Sequence, residues 1–290
     1  MYIVRLNKRT LRKASPFLGD RFMRNIVITG STSGIGKELV KLFSKSGEYR
    51  IFAGYRNETL KDNLNNVEYF YIEMTNPQSI VDAGNFIKSK VDKIDLLINV
   101  AGYVVAGPVE EISVDRLREQ FEVNTFSHIE FTQQLLPILD GGRIINISSM
   151  ASYGLFPFIS PYCASKRALD IFFNALALET QKSIKVISIK PGVIATPLWQ
   201  KSVDNNSEVL EKCVDYAKEM NFLKVNALKN SHRGLKVTEV AKFIKKVAEK
   251  SKPKSSYTIG YDAKIAEIAS QLPQDMINVI LKAGMKWRFR

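Results

Sequence analysis

Two residues in the stretch SPYCASKRAL, Tyr162 and Lys166, are of types that can move a proton, and they stand four apart. On a helix that spacing puts both on one face. An ammonium beside a phenol favours the phenolate and lowers its reference pKa of ~10 toward the range of a general acid or base. The same spacing also describes an ordinary helix face with a solvated lysine, so the pair alone decides nothing. A second group suits phosphate binding. TGSTSGIGKEL spaces Gly30, Gly34 and Gly36 as G-x-x-x-G-x-G between a strand pattern and a helix pattern. Glycines let the backbone turn tightly and approach a pyrophosphate, whose charge the free N–H groups of the following helix attract. A third group lies in AGYRNE, where Tyr55 occupies the position of a ribose-binding acid and Arg56 follows it. A cation there favours a 2′-phosphate, so the expected dinucleotide is NADP(H) rather than NAD(H).

These residues need a scaffold, and the pattern around them supplies one. The apolar runs NIVITG (25–30), RIFAG (50–54), VEYFYI (67–72), IDLLINV (94–100), GRIINIS (142–148) and IKVISIKPG (184–192) alternate with helical patterns. The helices run through GKELVKLFSKSG, from Pro77 to about Lys90, through VDRLREQFEV and HIEFTQQLLPIL, and from Pro161 to about Gln181. Strands apolar on both faces and separated by helices predict a parallel sheet covered on both sides. The fold class is therefore α/β, a Rossmann-type doubly wound sheet in one domain from residue 25 to 290. After Pro191 the rhythm breaks. Residues 197–236 form a long excursion before the helix VTEVAKFIKKVAEKS, read as a substrate lid, with a purely structural helical insertion as the alternative. A helical extension is expected over about 262–290.

With 290 residues, 45% of them hydrophobic, the chain can bury a large core. Its two cysteines, Cys163 and Cys213, stand in no metal-ligand or disulfide spacing, so no metal site is predicted and a reducing, cytoplasmic setting fits. Cys163 reads as a small helix residue packed inside. The net charge of +13 gathers at the ends. Residues 1–24 carry seven basic residues against Asp20 and no apolar segment of a secretory signal. They fit a solvated basic tail, an Arg-rich transit-like segment, or the product of an upstream start codon. The end LKAGMKWRFR mixes Lys282, Lys286, Arg288 and Arg290 with Trp287 and Phe289, which suits either an anionic membrane surface or a plain solvated terminus. No apolar run reaches the roughly 18 residues of a membrane span. No nucleic-acid module is recognised, and no nucleic-acid partner is expected.

TGSTSGIG, NVAG (99–102), Asn124 in FEVNTFSHIE, INISSMAS, YCASK and KPGVIATP occur in order and together resemble the short-chain dehydrogenase/reductase family, classical type. The resemblance covers residues 25–200 well. Tyr55 with Arg56, the loop GYVVAGPVEEIS, YCASK and the long segment after TPLW look most like its hydroxysteroid and retinol dehydrogenase branch. The resemblance implies roles residue by residue. Tyr162 matches the general acid/base, and Lys166 the residue that lowers its pKa and binds the nicotinamide ribose. Ser149, 13 residues before Tyr162, matches the serine that hydrogen-bonds the substrate oxygen, with Ser148 the second choice. Asn124 matches the asparagine that holds a relay water. The positions implied for the cofactor are Gly30, Ser33, Gly34, Ile35, Gly36, Arg56, Glu73, Met74, Asn99, Ala101, Gly102, Tyr162, Lys166, Pro191, Gly192, Ile194 and Thr196. One departure is Val100, which stands where the family has the asparagine of Asn-Ala-Gly, with Asn99 one place earlier.

The resulting expectation is an NADP(H)-dependent oxidoreductase that interconverts a carbonyl and an alcohol on a hydrophobic, steroid-, retinoid- or lipid-like substrate. Phe156, Pro157, Phe158, Leu198, Trp199 and Phe222 are expected to line that substrate's pocket or, alternatively, to pack in the core or between subunits. The competing readings are a 3-oxoacyl thioester reductase of the same family and a dinucleotide sensor without turnover. The family also implies a homodimer or homotetramer.

Overall fold

The computed structural model describes residues 23–289. The basic stretch read as an extension over 1–24 lies almost wholly outside these residues; Arg24, placed in that extension, opens the first strand instead.

The sheet has seven strands: β1 (Arg24–Ile28), β2 (Tyr49–Tyr55), β3 (Val67–Tyr71), β4 (Leu96–Asn99), β5 (Arg143–Ile147), β6 (Lys185–Pro191) and β7 (Ser256–Ile259). Their order is β3-β2-β1-β4-β5-β6-β7 and all six pairings are parallel. Successive side chains of a strand face opposite ways, so a strand apolar at every position feeds two layers. Ile26 and Ile28 of β1 join Leu96 and Ile98 of β4, Ile145 and Ile147 of β5, and Ile187 and Ile189 of β6 in one layer. Val27, Leu97, Ile144 and Val186 enter the other. The first layer is closed by α1 (Gly34–Ser44) through Leu39, Val40 and Phe43, and by α9 (Val237–Ala248) through Val240, Ile244 and Val247. The second is closed by α2 (Pro77–Lys90), α4 (Ser127–Leu135) and α5 (Ser160–Glu179) through Ile80, Ile87, Phe131, Leu135, Leu169 and Phe173. Each fully buried Ile, Leu or Phe contributes about 1.5–3 kcal/mol of transfer free energy, against roughly 0–1 kcal/mol for an exposed ion pair, so these layers hold the sheet.

Local chemistry sets the helix ends. Pro77 sits in the first turn of α2, while the Asn76 side chain caps it by accepting from the Ser79 N–H at 3.2 Å. Lys88 and Lys90 lie at its negative end. Helix α3 (Val114–Phe121) runs into a π-helical segment, Glu122–Phe126, before α4. Such segments often mark functional positions, and this one carries Asn124.

Following β6, the chain makes its excursion through α6 (Leu198–Asn205), α7 (Ser207–Lys212) and α8 (Ala217–Arg233). It returns at Leu235, whose N–H donates to Val193 O at 2.8 Å and whose carbonyl accepts from Ala195 N at 3.0 Å. Asn206, 1% exposed, pins the excursion to the loop after β4: its Oδ1 accepts from Ala106 N at 2.9 Å and its Nδ2 donates to Val104 O at 2.8 Å. Beyond α9 come β7, α10 (Tyr261–Ala269) and α11 (Gln274–Phe289).

Candidate active site

In an open parallel sheet, ligands bind beyond the carboxyl ends of the strands where the order reverses. Here that place is between β1 and β4, and the residues singled out from the sequence converge on it. The turn after β1 is built for close approach. Gly30 has φ +62°, and a Cβ on it would come 2.9 Å from the backbone of Ala101. A Cβ on Gly36 would lie 2.2 Å from Gly30 O, so the first turn of α1 packs directly on the loop that precedes it. Ser33 takes the N-cap position of α1, leaving the helix start with no side-chain cap among the described residues. Gly34 faces Thr196, whose Cγ2 would sit 3.6 Å from a Cβ there, and so draws the loop after β6 onto the turn. Ile35 is half-buried beside the first core layer. A glycine cradle and uncapped helix N–H groups form a donor set that fits a dinucleotide pyrophosphate.

Opposite this cradle stand the proton-moving groups. Lys166 is 4% exposed and its Nζ donates to Ile147 O, at the end of β5, at 2.9 Å. Asn124, fully buried, uses Oδ1 to accept from Tyr103 N at 3.0 Å and Nδ2 to donate to Tyr103 O at 3.0 Å and to Ser165 Oγ at 3.1 Å. A Cβ on Gly102 would stand 3.1 Å from Asn124 Oδ1 and 3.5 Å from Lys166 Nζ, which puts these three residues around one point. Ser149 begins a short 3-10 turn after β5, and its Oγ accepts from Ala151 N at 3.1 Å. It is half-buried and reaches Tyr162, whereas Ser148 is 4% exposed and its hydroxyl has no partner among the described residues.

Electrostatics separate the tyrosine from its lysine. Burial pushes the Tyr162 hydroxyl up to about 12, and a hydrogen bond with Ser149 works against that rise. Burial brings the Lys166 ammonium down to about 8, opposed by the Asp170 carboxylate one helical turn on. The spacing predicted a phenol lowered by its lysine; instead burial sets the direction for Tyr162, and the Lys166 ammonium is turned to Ile147 O. Asp170 is held in a buried ion pair with Lys190 at 3.1 Å.

The remaining expected positions divide into two groups. Asn99 Nδ2 donates to Asn146 Oδ1 across the β4–β5 register at 2.8 Å, while Val100 N and Ala101 N donate to Thr29 Oγ1 at 3.0 and 3.3 Å. Val100 packs its side chain on the first core layer, so the departure from the family pattern is absorbed by packing. Met74 is buried in the second layer. Arg56 stands 75% exposed at the end of β2, with its Nε 3.7 Å from Glu73. In the loop after β6, the Gly192 Cα faces a carboxylate: Asp262 Oδ2 accepts from Val193 N at 2.7 Å, and a Cβ on Gly192 would fall 1.9 Å from Asp262 Oδ1. Pro191 ends β6 opposite Ile259 of β7, and Trp199 Nε1 donates to Ile194 O at 2.7 Å. Phe158, with φ +65°, accepts from Gly107 N at 2.8 Å and meets Tyr216 of the excursion ring to ring. Phe222 instead packs on Phe289 of α11. Cys163 and Cys213 are buried free thiols, and among the described residues no group of three or more His, Cys, Asp and Glu could hold a metal.

Three residues that serve the site were not singled out from the sequence. His128, fully buried, bonds Ala101 O at 2.9 Å through Nε2, and burial keeps its imidazole neutral, down at about 3. A lone histidine on an apolar helix carries no signal that it lies under the loop after β4. Asp262 could have been read as a helix-start acid, but its long-range partner at Val193 could not. Asn206 gave no local signal at all.

The short chain dehydrogenase family model matches residues 24–207. A probable short-chain type dehydrogenase/reductase of Helicobacter pylori, VdlC, is 36% identical over 245 residues, 81% of this chain and 87% of that one. The NADPH-dependent 3-dehydrocapnine reductase of Ornithobacterium rhinotracheale is 30% identical over 280 residues, 91% of this chain and 98% of its own. In fold, the chain is similar to a short-chain dehydrogenase from Streptomyces avermitilis, with a TM-score of 0.74 at 22% identity over 91% of this chain and 96% of that one. A family match over more than half the chain, on a glycine turn and a Ser–Tyr–Lys constellation in the matching order, makes the protein a member of the short-chain dehydrogenase/reductase family of oxidoreductases.

Proposed function

We propose that the protein is an NADPH-dependent reductase of a hydrophobic ketone or aldehyde. The observation that carries this reading is the convergence of Ser149, Tyr162, Lys166 and Asn124 opposite the glycine cradle. Gly30, Ser33, Gly34, Ile35 and Gly36 would hold the pyrophosphate; Asn99, Ala101 and Gly102 would form the wall beneath the cofactor; Pro191, Gly192, Ile194 and Thr196 would flank its nicotinamide end. Bound there, NADPH supplies the hydride.

The residues supply the rest. A phenol at about 12 keeps its proton at neutral pH, so Tyr162 is poised to donate it to the oxygen of a carbonyl being reduced. Ser149 steadies that oxygen by a hydrogen bond that strengthens as charge develops. Lys166, charged below about pH 8, stabilises the phenolate left on Tyr162. Asn124 keeps one lone pair of Oδ1 beside Gly102 and Lys166, where a relay water would be held. The sign of the pH dependence follows. Reduction should hold steady on the acid side of pH 8 and fall as Lys166 loses its proton above it. The pH profile of kcat/KM with NADPH saturating checks this, and a profile flat well above pH 8 would contradict it. Lys166→Met should remove the inflection together with most of the activity.

The preference for NADPH rests on Arg56, whose exposed guanidinium forms a 3.7 Å ion pair with Glu73 among the described residues. A surface pair of that kind is worth roughly 0–1 kcal/mol, so a 2′-phosphate can compete for it. Arg56→Asp should weaken NADPH binding about tenfold or more and favour NADH, since a lost charge-assisted contact is worth about 1.5–3 kcal/mol. Unchanged NADPH affinity in that variant would remove Arg56 from the reading. The hydrophobic substrate is supported by Phe156 and Phe158, half-buried on the loop before α5, and by Leu198 and Trp199, half-buried at the start of α6. It is also supported by the NADPH-dependent reductase of 3-dehydrocapnine being a relative. A homodimer or homotetramer belongs to the same reading and is supported by Phe126, Ile171, Phe172 and Leu178, all exposed on or beside α4 and α5.

The experiment is to follow NADPH and NADH oxidation against steroids, retinoids, long-chain ketones, aldehydes and 3-oxoacyl thioesters. Turnover of apolar ketones is expected. Faster turnover of the thioesters would replace the substrate class, and no turnover with tight NADPH binding would make the protein a sensor.

A further inference from the structure

The last two helices present apolar faces outward. At roughly 100° per residue, Met276, Val279, Ile280, Ala283 and Trp287 share one side of α11, where Val279 is 67% exposed and Trp287 82%. The opposite side holds Ile277, Leu281, Met285 and Phe289, all half-buried. So α11 uses one apolar face against the protein and leaves a second without a partner among the described residues. Helix α10 repeats the arrangement. Tyr261, Ile265 and Ile268, spaced i, i+4, i+7, are exposed, Ile268 to 72%, while Ala263 between them is buried. An apolar surface of this kind on one chain marks a place of contact.

The charges around it indicate what the contact is. Lys282 and Lys286 border the outer stripe of α11 on one side, and Arg288 lies beyond its other side, over the Phe222 ring at 4.6 Å. Lys264 is exposed on α10. Of the three acids in this region, Asp262 is bonded inward to Val193 N and Glu267 accepts from Tyr153 at 3.0 Å, which leaves Asp275 as the acid at the helix start. The face is therefore apolar with a basic border and a tryptophan near its end. A second copy related by a two-fold axis would bring like charge against like. An anionic lipid surface complements both parts, the stripe entering the acyl boundary and the lysines meeting the headgroups.

We propose that the outward faces of α10 and α11 dock the protein on an anionic membrane surface, with α11 lying in the interface. This does not depend on which carbonyl compound the site reduces. It places the excursion near the bilayer, because Phe289 stacks edge-on with Phe222 of α8 at 5.5 Å and Lys218 Nζ of that helix donates to Phe289 O at 3.4 Å.

The test is sedimentation of the full chain with vesicles of phosphatidylcholine alone and of equal parts phosphatidylcholine and phosphatidylglycerol. Binding is expected only to the acidic vesicles and should weaken in high salt. The double variant Val279→Asp with Ile280→Asp, at exposed positions, should keep its melting temperature and NADPH binding and lose roughly tenfold or more of vesicle affinity. Lys282→Glu with Lys286→Glu should do the same. The Trp287 emission should shift to the blue on acidic vesicles, and Trp287→Phe should abolish that shift. Wild-type protein left in the supernatant would overturn the proposal. So would variants that sediment as well as wild type, and so would an assembly in solution that these substitutions dissociate while vesicle binding is unchanged.

Discussion

With Tyr162 replaced by phenylalanine, NADPH-driven carbonyl reduction is expected to fall by roughly 10²–10⁴-fold, the usual contribution of a positioned proton donor. The loss should appear in kcat, because the hydroxyl acts when charge develops on the substrate oxygen and contributes little to ground-state binding. Stability should change little. The ring, half-buried on the first turn of α5, keeps its packing in phenylalanine, and the hydrogen bond lost is the one to Ser149. Measuring kcat, KM and the melting temperature together separates this outcome from simple misfolding. A variant that keeps wild-type kcat would require another proton donor.

Gly36→Ala should act on the other half of the site. The added methyl would stand 2.2 Å from Gly30 O and 3.1 Å from Ser31 Cα, both in the backbone of the turn, so no side-chain rotation can relieve the contact. The first turn of α1 and the loop before it must separate, at a cost of about 1–3 kcal/mol by analogy with overpacked cores. That movement displaces the N–H groups of the cradle, and NADPH affinity should drop roughly tenfold or more. Gly284→Ala on α11 is the matched control, since nothing stands within 4 Å of its Cβ position. It should leave NADPH binding within experimental scatter and raise stability by up to about 1 kcal/mol, the helix-propensity gain of alanine over glycine. Unchanged binding in Gly36→Ala would mean that the pyrophosphate does not sit at this turn.

Much of the fold could be read because buried strands leave a strong pattern. NIVI, RIINI and VISI are apolar at nearly every position, and the structure shows each feeding both core layers. Strand β7 was not legible. SYTI is four residues long, half-buried, preceded by Lys252 and Lys254, and its place in the sheet comes from pairing with β6 rather than from its own hydrophobicity. The strand ends shifted by one or two residues for a related reason: at the start of β4, Asp95 N donates to Asn25 O at 2.9 Å and Ile94 N to Ile138 O at 2.7 Å, partners that the apolar run alone does not reveal.

The site was legible where chemistry demands a residue type at a fixed local spacing, as with Gly30, Gly34 and Gly36 or Tyr162 and Lys166. It was illegible where a residue acts at long range. Asp262 lies 69 residues from the Val193 N–H it accepts from, and Asn206 lies 100 residues from the Ala106 N–H it accepts from. Phe222 is a position the sequence left open between lining the substrate pocket and packing, and half-buried on α8 it packs against Phe289 and Arg288. The lowered pKa expected for Tyr162 failed because spacing reports proximity and does not report burial, and burial is the largest cause here.

The central claim is that Tyr162 hands a proton to a carbonyl oxygen while NADPH is held at the glycine turn. Single-turnover kinetics test it most directly: enzyme saturated with NADPH is mixed with a hydrophobic ketone that the wild type reduces, and the nicotinamide absorbance is followed for wild type and Tyr162→Phe. The account predicts equal amounts of bound NADPH in both proteins and a decay at least about 100-fold slower in the variant. Decay at the same rate in both would contradict it.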